Sequence, residues 1–395
     1  MRLLLLFLLL APLSGIAQAQ APTPAPAPTP AEPDRPHLVV DMNTGRVLTA
    51  NRAFDPWHPA SLTKMMTAYT ALKMIERGEA TADTDVQMTW WASRQSPSKL
   101  GYRAGTLMPL RDALAAIAVK SANDVSQAIA ESLGPTAEDF AARMNAEARR
   151  IGMTGSTFVN PHGLHHPRQV TTARDMALLV RAFRRDFPDW MWLWKTPAVR
   201  ATAQGKARTY RSFNQLLGRF PGADGMKTGF VCPSGWNFAG SATRDGRTVL
   251  AVVLGRNNGT DRVVDSARFL ERAFEGRFEP GPPLDELAPA APPPVAPPNL
   301  RAAVCDTKHA PKREPLQALP AGVQGPPGPP RVWLSPSPKS VPILELRTSG
   351  WRPHAPDLAR LDVPLPAARP PDPPLDGLVL APPRQATVPT PRPEF

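Results

Sequence analysis

The chain has 395 residues, 51 of them prolines, and a formal net charge of +12. A charge of this size could suit nucleic acid on electrostatic grounds. The arginines are scattered rather than clustered, however, and the N-terminus predicts export, so we expect no nucleic-acid partner and a basic surface that faces an anionic cell envelope.

The first 19 residues have the pattern of a secretory signal peptide. Arg2 precedes a nearly unbroken run of Leu and Phe, and Ala17-Gln18-Ala19 is a small-x-small cleavage site. The apolar run is too short to predict a permanent transmembrane helix. The sequence therefore predicts export to the periplasm or cell envelope.

Proline placement divides the rest of the chain into three parts. Residues 20–36 form an Ala-Pro-Thr-Pro linker, residues 37–278 form the only part able to build a sizeable core, and 32 prolines fall in residues 279–395. We expect this tail to be Pro-rich, of low complexity and largely disordered. Within it, residues 332–334 and 341–346 are candidates for short strands that dock on the folded part.

Strand patterns lie at both ends of residues 37–278. An early hairpin, residues 37–42 and 46–50, surrounds a turn at Gly45. Late strands are predicted at residues 225–231, 236–243 and 248–255, with Asp245-Gly246 as a turn dipeptide. These segments predict one antiparallel sheet assembled from both ends of the domain.

Between the strands the apolar spacing is helical. The pattern predicts helices over residues 62–76, 110–119, 125–133, 137–151 and 173–187, and a final helix over 262–274. The fold is therefore predicted to be α/β of the α+β type, an antiparallel sheet flanked by helices with a helical insert lobe.

A serine and a lysine three residues apart, Ser61 and Lys64, lie at the predicted start of the first long helix. On a helix this spacing places both side chains on one face. A serine nucleophile needs a base within hydrogen-bond reach, and a lysine acts as one only when burial or a nearby cation keeps it neutral. A serine that caps a helix beside a solvated lysine is the ordinary alternative.

Two later tripeptides change the balance. Ser121-Ala122-Asn123 falls at a predicted helix junction, and Lys227-Thr228-Gly229 falls on a predicted edge strand. Alone, the first is a common cap and the second a common surface tripeptide. With Ser-x-x-Lys they form the set typical of serine acyl-transfer enzymes. We expect a cleft between sheet and helical lobe to bring the three together.

Other segments extend the pattern, namely residues 39–50, 160–164 (Asn-Pro-His-Gly-Leu), 171–176 and 222–226. With the three motifs, residues 37–278 resemble the low-molecular-mass penicillin-binding proteins, specifically the serine-type D-alanyl-D-alanine carboxypeptidases. The resemblance implies a β-lactamase/transpeptidase-like fold, and it does not extend to the tail.

The resemblance also implies a role for each motif. Ser61 attacks the penultimate D-alanine carbonyl of a peptidoglycan stem pentapeptide, Lys64 accepts its proton, and Ser121, hydrogen-bonded to Lys64 and Lys227, protonates the leaving amine. β-Lactams are expected to acylate Ser61. The expected substrate-binding groups are Asn123 for the amide, Lys227, Thr228 and Gly229 for the carboxylate end, and the N–H of Phe230 for the oxyanion.

Three other functions remain open on the sequence. A D,D-endopeptidase that cuts peptidoglycan crosslinks uses the same motifs, and a β-lactamase needs a second base that we cannot assign. The third alternative is a non-catalytic envelope protein that acts through its Pro-rich tail. Such a protein has no use for the catalytic residues, so their presence argues against it.

Several residues have two interpretations. Arg262 is either a second cation for the substrate carboxylate or an ordinary surface arginine. His162, His165 and His166 have no accompanying carboxylate or cysteine pattern, so we expect structural roles, no metal and no cofactor. For Trp190, Trp192 and Trp194, packing is favoured over a sugar platform.

Cys232 and Cys305 are the only cysteines. Export permits a disulfide between them, but two cysteines do not make a framework, so Cys232 is interpreted as a small buried residue. The family often carries an amphipathic anchoring helix, and no such pattern is visible in the tail, which leaves peripheral membrane association open.

Overall fold

The structure, a computed structural model, describes residues 34–306, 334–335 and 337–352. The predicted signal peptide, nearly all of the linker and the tail segments 307–333 and 353–395 lie outside the described residues.

The described residues form eleven strands, nine helices and two 3-10 turns. The strands are β1 His37–Asp41, β2 Val47–Asn51, β3 Asp85–Gln87, β4 Thr106–Pro109, β5 Ala198–Ala203, β6 Lys206–Arg211, β7 Ala223–Val231, β8 Gly235–Arg244, β9 Arg247–Arg256, β10 Leu344–Glu345 and β11 Gly350–Trp351. The helices are α1 Thr63–Glu76, α2 Trp90–Ser93, α3 Leu110–Val119, α4 Asn123–Leu133, α5 Ala137–Arg150, α6 Ala173–Asp186, α7 Trp192–Lys195, α8 Gly259–Phe274 and α9 Arg301–Val304. The 3-10 turns are Ala60–Leu62 and Pro188–Trp190.

The main sheet is antiparallel and has the order β2-β1-β9-β8-β7. Strand β9 lies at its centre, and from Thr248 onward its residues are all buried. Helix α8 packs on one face of the sheet, and α6 packs on the other beside the helical lobe of α1 to α5. The predicted α+β architecture, with early and late strands in one sheet, is confirmed.

Two side chains tie the sheet to the segment that enters the first long helix. The amide of Asn237 on β8 donates to the His58 carbonyl at 3.0 Å and accepts from Gly255 N–H at 2.9 Å, with Asn237 fully buried. The indole N–H of Trp57 donates to the Ser234 carbonyl at 2.9 Å. These buried bonds fix the turn Ala60–Leu62 against the edge strand β7.

The first part of the C-terminal region folds back onto the domain. Leu284, fully buried, donates its N–H to the Gly45 carbonyl at 2.9 Å, and Leu300 N–H donates to the Pro233 carbonyl at 2.9 Å. Cys232 and Cys305 form a disulfide, so the interpretation of Cys232 as a separate buried residue is wrong. The return of the tail to the β7–β8 turn brings the cysteines together, and sequence spacing gives no sign of that return.

The second part of this region adds short strands to two small sheets. Strand β10 pairs in parallel with β5, and β11 pairs antiparallel with β4. The docking strand considered for residues 341–346 is therefore present, as β10. Of the other candidate, residues 332–334, only Leu334 is described, and it is buried in the cluster beneath α8.

Among the described residues, no helix combines the length and apolar character needed to cross a membrane.

Removing the disulfide should lower the free energy of unfolding without disrupting the main sheet. Cys305→Ser frees the tail from the β7–β8 turn, and losing a disulfide typically costs about 2–4 kcal/mol. Urea denaturation measures the loss. Cys232→Ser should give the same value, and the double variant no further loss. An unfolding free energy equal to wild type would show that the bond contributes nothing to stability.

Candidate active site

Ser61 lies in the 3-10 turn Ala60–Leu62, which leads directly into α1 at Thr63. The serine therefore precedes the regular helix, whereas Lys64 lies within it. The backbone around the turn is crowded. A Cβ on Gly163, which has φ +85°, would lie 1.9 Å from the Ala60 carbonyl oxygen. A Cβ on Gly229 would lie 3.1 Å from the Ser61 nitrogen. Only glycine at these positions allows two other segments to close on the serine backbone.

Lys64 lies on α1 and its side chain is fully buried. Its Nζ is 3.0 Å from Ser61 Oγ, 2.7 Å from Asn123 Oδ1 and within hydrogen-bond distance of the His162 carbonyl oxygen. Burial is the main cause that lowers the pKa of Lys64 well below 10.5, and the positive charge of Lys227 lowers it further. The expected buried, cation-flanked lysine is present beside Ser61.

Asn123 connects this pair to the helical lobe. Its oxygen accepts from Lys64, and its Nδ2 donates to the Ser96 carbonyl at 2.8 Å. The neighbouring Asp124 is fully buried and accepts from the backbone N–H groups of Leu100 and Gly101. Sequence reasoning missed Asp124, although an acidic residue in the first turn of a helix is a recognisable signal.

Ser121 precedes α4 with φ +57°, and only 4% of its surface is exposed. Within the part of the chain that the structure describes, its hydroxyl forms no hydrogen bond, so the predicted bonds to Lys64 and Lys227 are absent. The reason is competition for donors, since Lys64 already has three partners and Lys227 Nζ donates to the Thr228 carbonyl at 2.9 Å.

Lys227 and Thr228 lie on the edge strand β7 and are buried. Arg262, near the start of α8, is only 3% exposed, so the alternative of a surface arginine is wrong. Its guanidinium carbon is 5.2 Å from the centroid of the Trp236 ring, and its Nε has no partner among the described residues. The helix begins at Gly259 rather than at the predicted position 262, so Arg262 lies within its first turn and on its buried face.

Both basic side chains, Lys227 and Arg262, have lowered pKa values. Burial, followed by the charge of Arg262, lowers the pKa of Lys227 to about 7. Burial lowers the pKa of Arg262 to about 10. A site that holds two such groups strongly favours an anionic ligand.

Phe230 follows the Lys-Thr-Gly tripeptide on β7, and it is 38% exposed. The ring lies 4.4 Å from that of Trp236, which places Trp236 between Phe230 and Arg262. Sequence reasoning missed Trp236, because nothing in the pattern of β8 distinguishes it from an ordinary strand aromatic.

The histidines and tryptophans have packing contacts. His162 is buried with its pKa lowered to about 3, mainly by burial, and its ring accepts from Leu164 N–H. Trp194 is 2% exposed and packs on Phe183, whereas Trp192 is 38% exposed and stacks on Trp190. The described residues contain no cluster of three or more His, Cys, Asp or Glu side chains able to hold a metal ion.

This arrangement joins a serine, a buried lysine whose pKa is lowered well below its usual value, and two further buried basic side chains. Known proteins were compared with the whole chain. The family model of the D-alanyl-D-alanine carboxypeptidases, peptidase family S11, matches residues 26–258, more than half of the chain. The chain belongs to this family. The family model ends before Arg262 and before the whole tail.

Among curated relatives, the D-alanyl-D-alanine carboxypeptidase DacA of Haemophilus influenzae is 30% identical over 60% of this chain and 61% of the relative. The carboxypeptidase DacC of Escherichia coli is 30% identical over 61% of each chain. This chain therefore matches about three fifths of the length of these relatives.

Solved structures of the same class share the fold. The carboxypeptidase DacD of Francisella tularensis aligns with a TM-score of 0.60 at 29% identity, over 65% of this chain and 74% of that one. Penicillin-binding protein D2 of Listeria monocytogenes, in an ampicillin-bound form, aligns with a TM-score of 0.53 at 28% identity. The alignment covers 61% of this chain and 97% of that one.

Gly163→Ala should displace the Ser61 turn and slow acylation. The new Cβ meets the Ala60 carbonyl, and a displacement of about 1 Å at a reacting group can cost about 100-fold in rate. The measurement is the rate of covalent labelling by a fluorescent penicillin. Gly205→Ala is the matched control, because Gly205 has a similar φ of +74° but no atom within 4 Å of the point where a Cβ would lie. Equal rates for the two variants would contradict the steric account.

Proposed function

We propose that this protein is an exported serine-type D-alanyl-D-alanine carboxypeptidase, which removes the terminal D-alanine from peptidoglycan stem pentapeptides in the periplasm or cell envelope. The observation that carries the proposal is the position of Lys64 Nζ, buried and 3.0 Å from Ser61 Oγ. Family membership and the signal-peptide pattern of residues 1–19 support it.

The contacts of Lys64 are compatible with a lone pair directed at Ser61 when the amine is neutral. A neutral amine has two N–H groups and one lone pair, and two of the neighbouring atoms, Asn123 Oδ1 and the His162 carbonyl oxygen, are acceptors only. They take the two N–H groups, so the lone pair faces the Ser61 hydroxyl. These contacts support the proposal that Lys64 is the general base for Ser61.

In the acylation step, Ser61 Oγ forms a bond to the penultimate D-alanine carbonyl carbon while its proton moves to Lys64. The resulting oxyanion is stabilised by the backbone N–H groups of Ser61 and Phe230, donors worth about 3–4 kcal/mol each in comparable sites. The C–N bond then breaks, and the leaving amine of D-alanine takes up a proton. The proposed donor is Ser121, which is not hydrogen-bonded to Lys64 in the structure, so this step requires a hydrogen bond between Lys64 and the Ser121 hydroxyl to form when substrate binds.

In the deacylation step, water attacks the ester carbon of the acyl-enzyme. Lys64, neutral again, accepts a proton from the water, and Ser61 leaves with a proton restored to its oxygen. The shortened stem peptide is released as a carboxylic acid, and no cofactor is required.

The terminal carboxylate of the substrate is assigned to the two buried cations. Lys227 and Arg262 supply charge and Thr228 supplies a hydroxyl, a combination suited to a carboxylate. Gly229 allows close approach to the Ser61 turn. Asn123 retains one N–H beyond its bond to Ser96, and that hydrogen is available for a substrate amide.

β-Lactams are proposed to acylate Ser61, as reactive analogues of the same carbonyl. The similar Listeria monocytogenes protein has been solved with ampicillin and with cefotaxime bound.

In domain terms, we propose residues 37–278 as the catalytic domain, with residues 20–36 as a linker from the signal peptide and residues 279–395 as a C-terminal extension.

Covalent labelling with a fluorescent penicillin tests the function. Wild type should form a stable adduct and release D-alanine from a stem pentapeptide, whereas Ser61→Ala should form none. Lys64→Met, which keeps the buried volume but lacks the amine, should be slowed by about 100- to 10,000-fold, the usual contribution of a general base. Ser93→Ala should label normally. An undiminished adduct on Ser61→Ala would overturn the proposal.

Substrate affinity should fall as pH rises through about 7. Lys227 has a lowered pKa of about 7, so its cationic form predominates below that value and is lost above it. KM for a pentapeptide should therefore increase between pH 6 and 8, while Lys227→Arg, which stays charged, should give a flat profile. A pentapeptide with a C-terminal carboxamide is the control and should show no such increase. A parallel increase with the carboxamide would contradict the assignment.

A further inference from the structure

A cavity of about 570 Å³, separate from the Ser61 site, lies where the C-terminal strand β11 meets the rest of the domain. This size is within the range of small-molecule sites. Its walls come from three separate parts of the chain, the loop before β4, the β5–β6 hairpin and the C-terminal segment. The lining residues include Tyr102, Arg103, Thr106 and Thr202 and, from the C-terminal segment, Thr348 and Trp351.

Trp351 is held at the edge of this cavity with much of its surface open. It is 65% exposed, yet its indole N–H donates to the Ala104 carbonyl at 2.9 Å. A Cβ on Gly105 would lie 2.3 Å from Trp351 Nε1, so the ring lies directly against a glycine. Arg352 N–H donates to the Gly105 carbonyl at 2.8 Å and fixes the strand. An exposed tryptophan held in this way provides a fixed apolar surface.

Tyr102 supplies a polar group without a partner. It is 4% exposed, and its hydroxyl has no hydrogen-bond partner among the described residues. A buried hydroxyl without a hydrogen-bond partner is destabilising. Burial also raises the pKa of Tyr102 to about 12, so the group stays a neutral donor and acceptor. A ligand that brings a hydrogen-bonding group would remove this cost.

The cavity is linked by hydrogen bonds to the catalytic residues. Gly101, next to Tyr102, donates its N–H to Asp124, which adjoins Asn123 in the Lys64 network. The Gln204 side chain at the tip of the β5–β6 hairpin donates to the Gly101 carbonyl at 2.9 Å. A ligand in the cavity therefore contacts the loop that supports the helical-lobe side of the active site.

The lining has the chemistry of a sugar site. A sugar ring presents C–H faces that pack on an indole, and its hydroxyl and acetamido groups match the hydroxyl groups of Tyr102, Thr106 and Thr202. One guanidinium, that of Arg103, lines the cavity and no carboxylate does, so the lining is mainly uncharged and polar.

We propose that this cavity binds a sugar unit of the glycan strand to which the stem peptide is attached, with Trp351 as the stacking surface and Tyr102 as a hydrogen-bonding group. The choice of glycan rests on the proposed function. Thr348 and Trp351 lie outside residues 26–258, so the family segment alone does not form this site. The C-terminal region would then select glycan-linked over free stem peptides.

Binding of chitotetraose, an oligomer of N-acetylglucosamine, tests the site directly on the full chain by isothermal titration calorimetry. Trp351→Ala should weaken binding at least tenfold. Tyr102→Phe should also weaken binding while its thermal midpoint stays equal to wild type or rises, because the variant removes an unsatisfied hydroxyl and keeps the ring. Trp192→Ala is the control, since Trp192 is an exposed tryptophan elsewhere, and it should bind as wild type does.

Penicillin labelling of the same variants separates this proposal from the catalytic one. Trp351→Ala should label at the wild-type rate and process a free pentapeptide normally, but release D-alanine more slowly from glycan-linked pentapeptide. Absence of chitotetraose binding to wild type, or an equal loss in Trp192→Ala, overturns the sugar site and leaves the catalytic proposal intact. Failure of labelling in wild type overturns the catalytic proposal, whatever the calorimetry shows.

Discussion

The site depends on one buried amine. Lys64 is enclosed, and its hydrogen-bond partners in the part of the chain that the structure describes are a hydroxyl, an amide oxygen and a backbone carbonyl, with no carboxylate among them. Burying a charge without a counter-ion is far more costly than burying a neutral amine, so the fold itself favours the unprotonated form. Asp124 acts in the opposite direction, but its carboxylate is occupied by backbone N–H groups of the adjacent loop. The fold thereby keeps a lysine of lowered pKa within hydrogen-bond distance of a serine.

Residues in the surrounding segments contribute to this arrangement. Lys227 and Arg262 are buried as well. The charge of Arg262 lowers the pKa of Lys227, and the charge of Lys227 disfavours a proton on Lys64. Two glycines, Gly163 and Gly229, permit the close contacts that hold the serine turn in place. Substrate carboxylate would relieve the repulsion between the cations, so binding energy and the preparation of the base come from the same groups.

Much of the fold was accessible from the sequence, because hydrophobic spacing and turn dipeptides report directly on regular elements. The hairpin around Gly45 and the turn Asp245-Gly246 correctly predicted that strands from both ends of residues 37–278 share one sheet. The β5–β6 hairpin was missed, since most β6 side chains are exposed and give no alternating pattern. The three motifs come together as predicted, while the partners of Ser121 and the burial of Arg262 depend on backbone geometry that spacing does not encode. The return of the C-terminal region, which brings the cysteines together, is likewise a long-range contact with no local signal.

The positions of the two cysteines limit when the disulfide can form during biosynthesis. Cys305 follows Cys232 by 73 residues and comes after all five strands of the main sheet. A chain that emerges from its N-terminus can pair these strands while Cys232 is still a lone thiol. The crosslink can close only once the returning tail has reached the β7–β8 turn. The disulfide therefore crosslinks the tail to the sheet and does not join two strands of the sheet to each other.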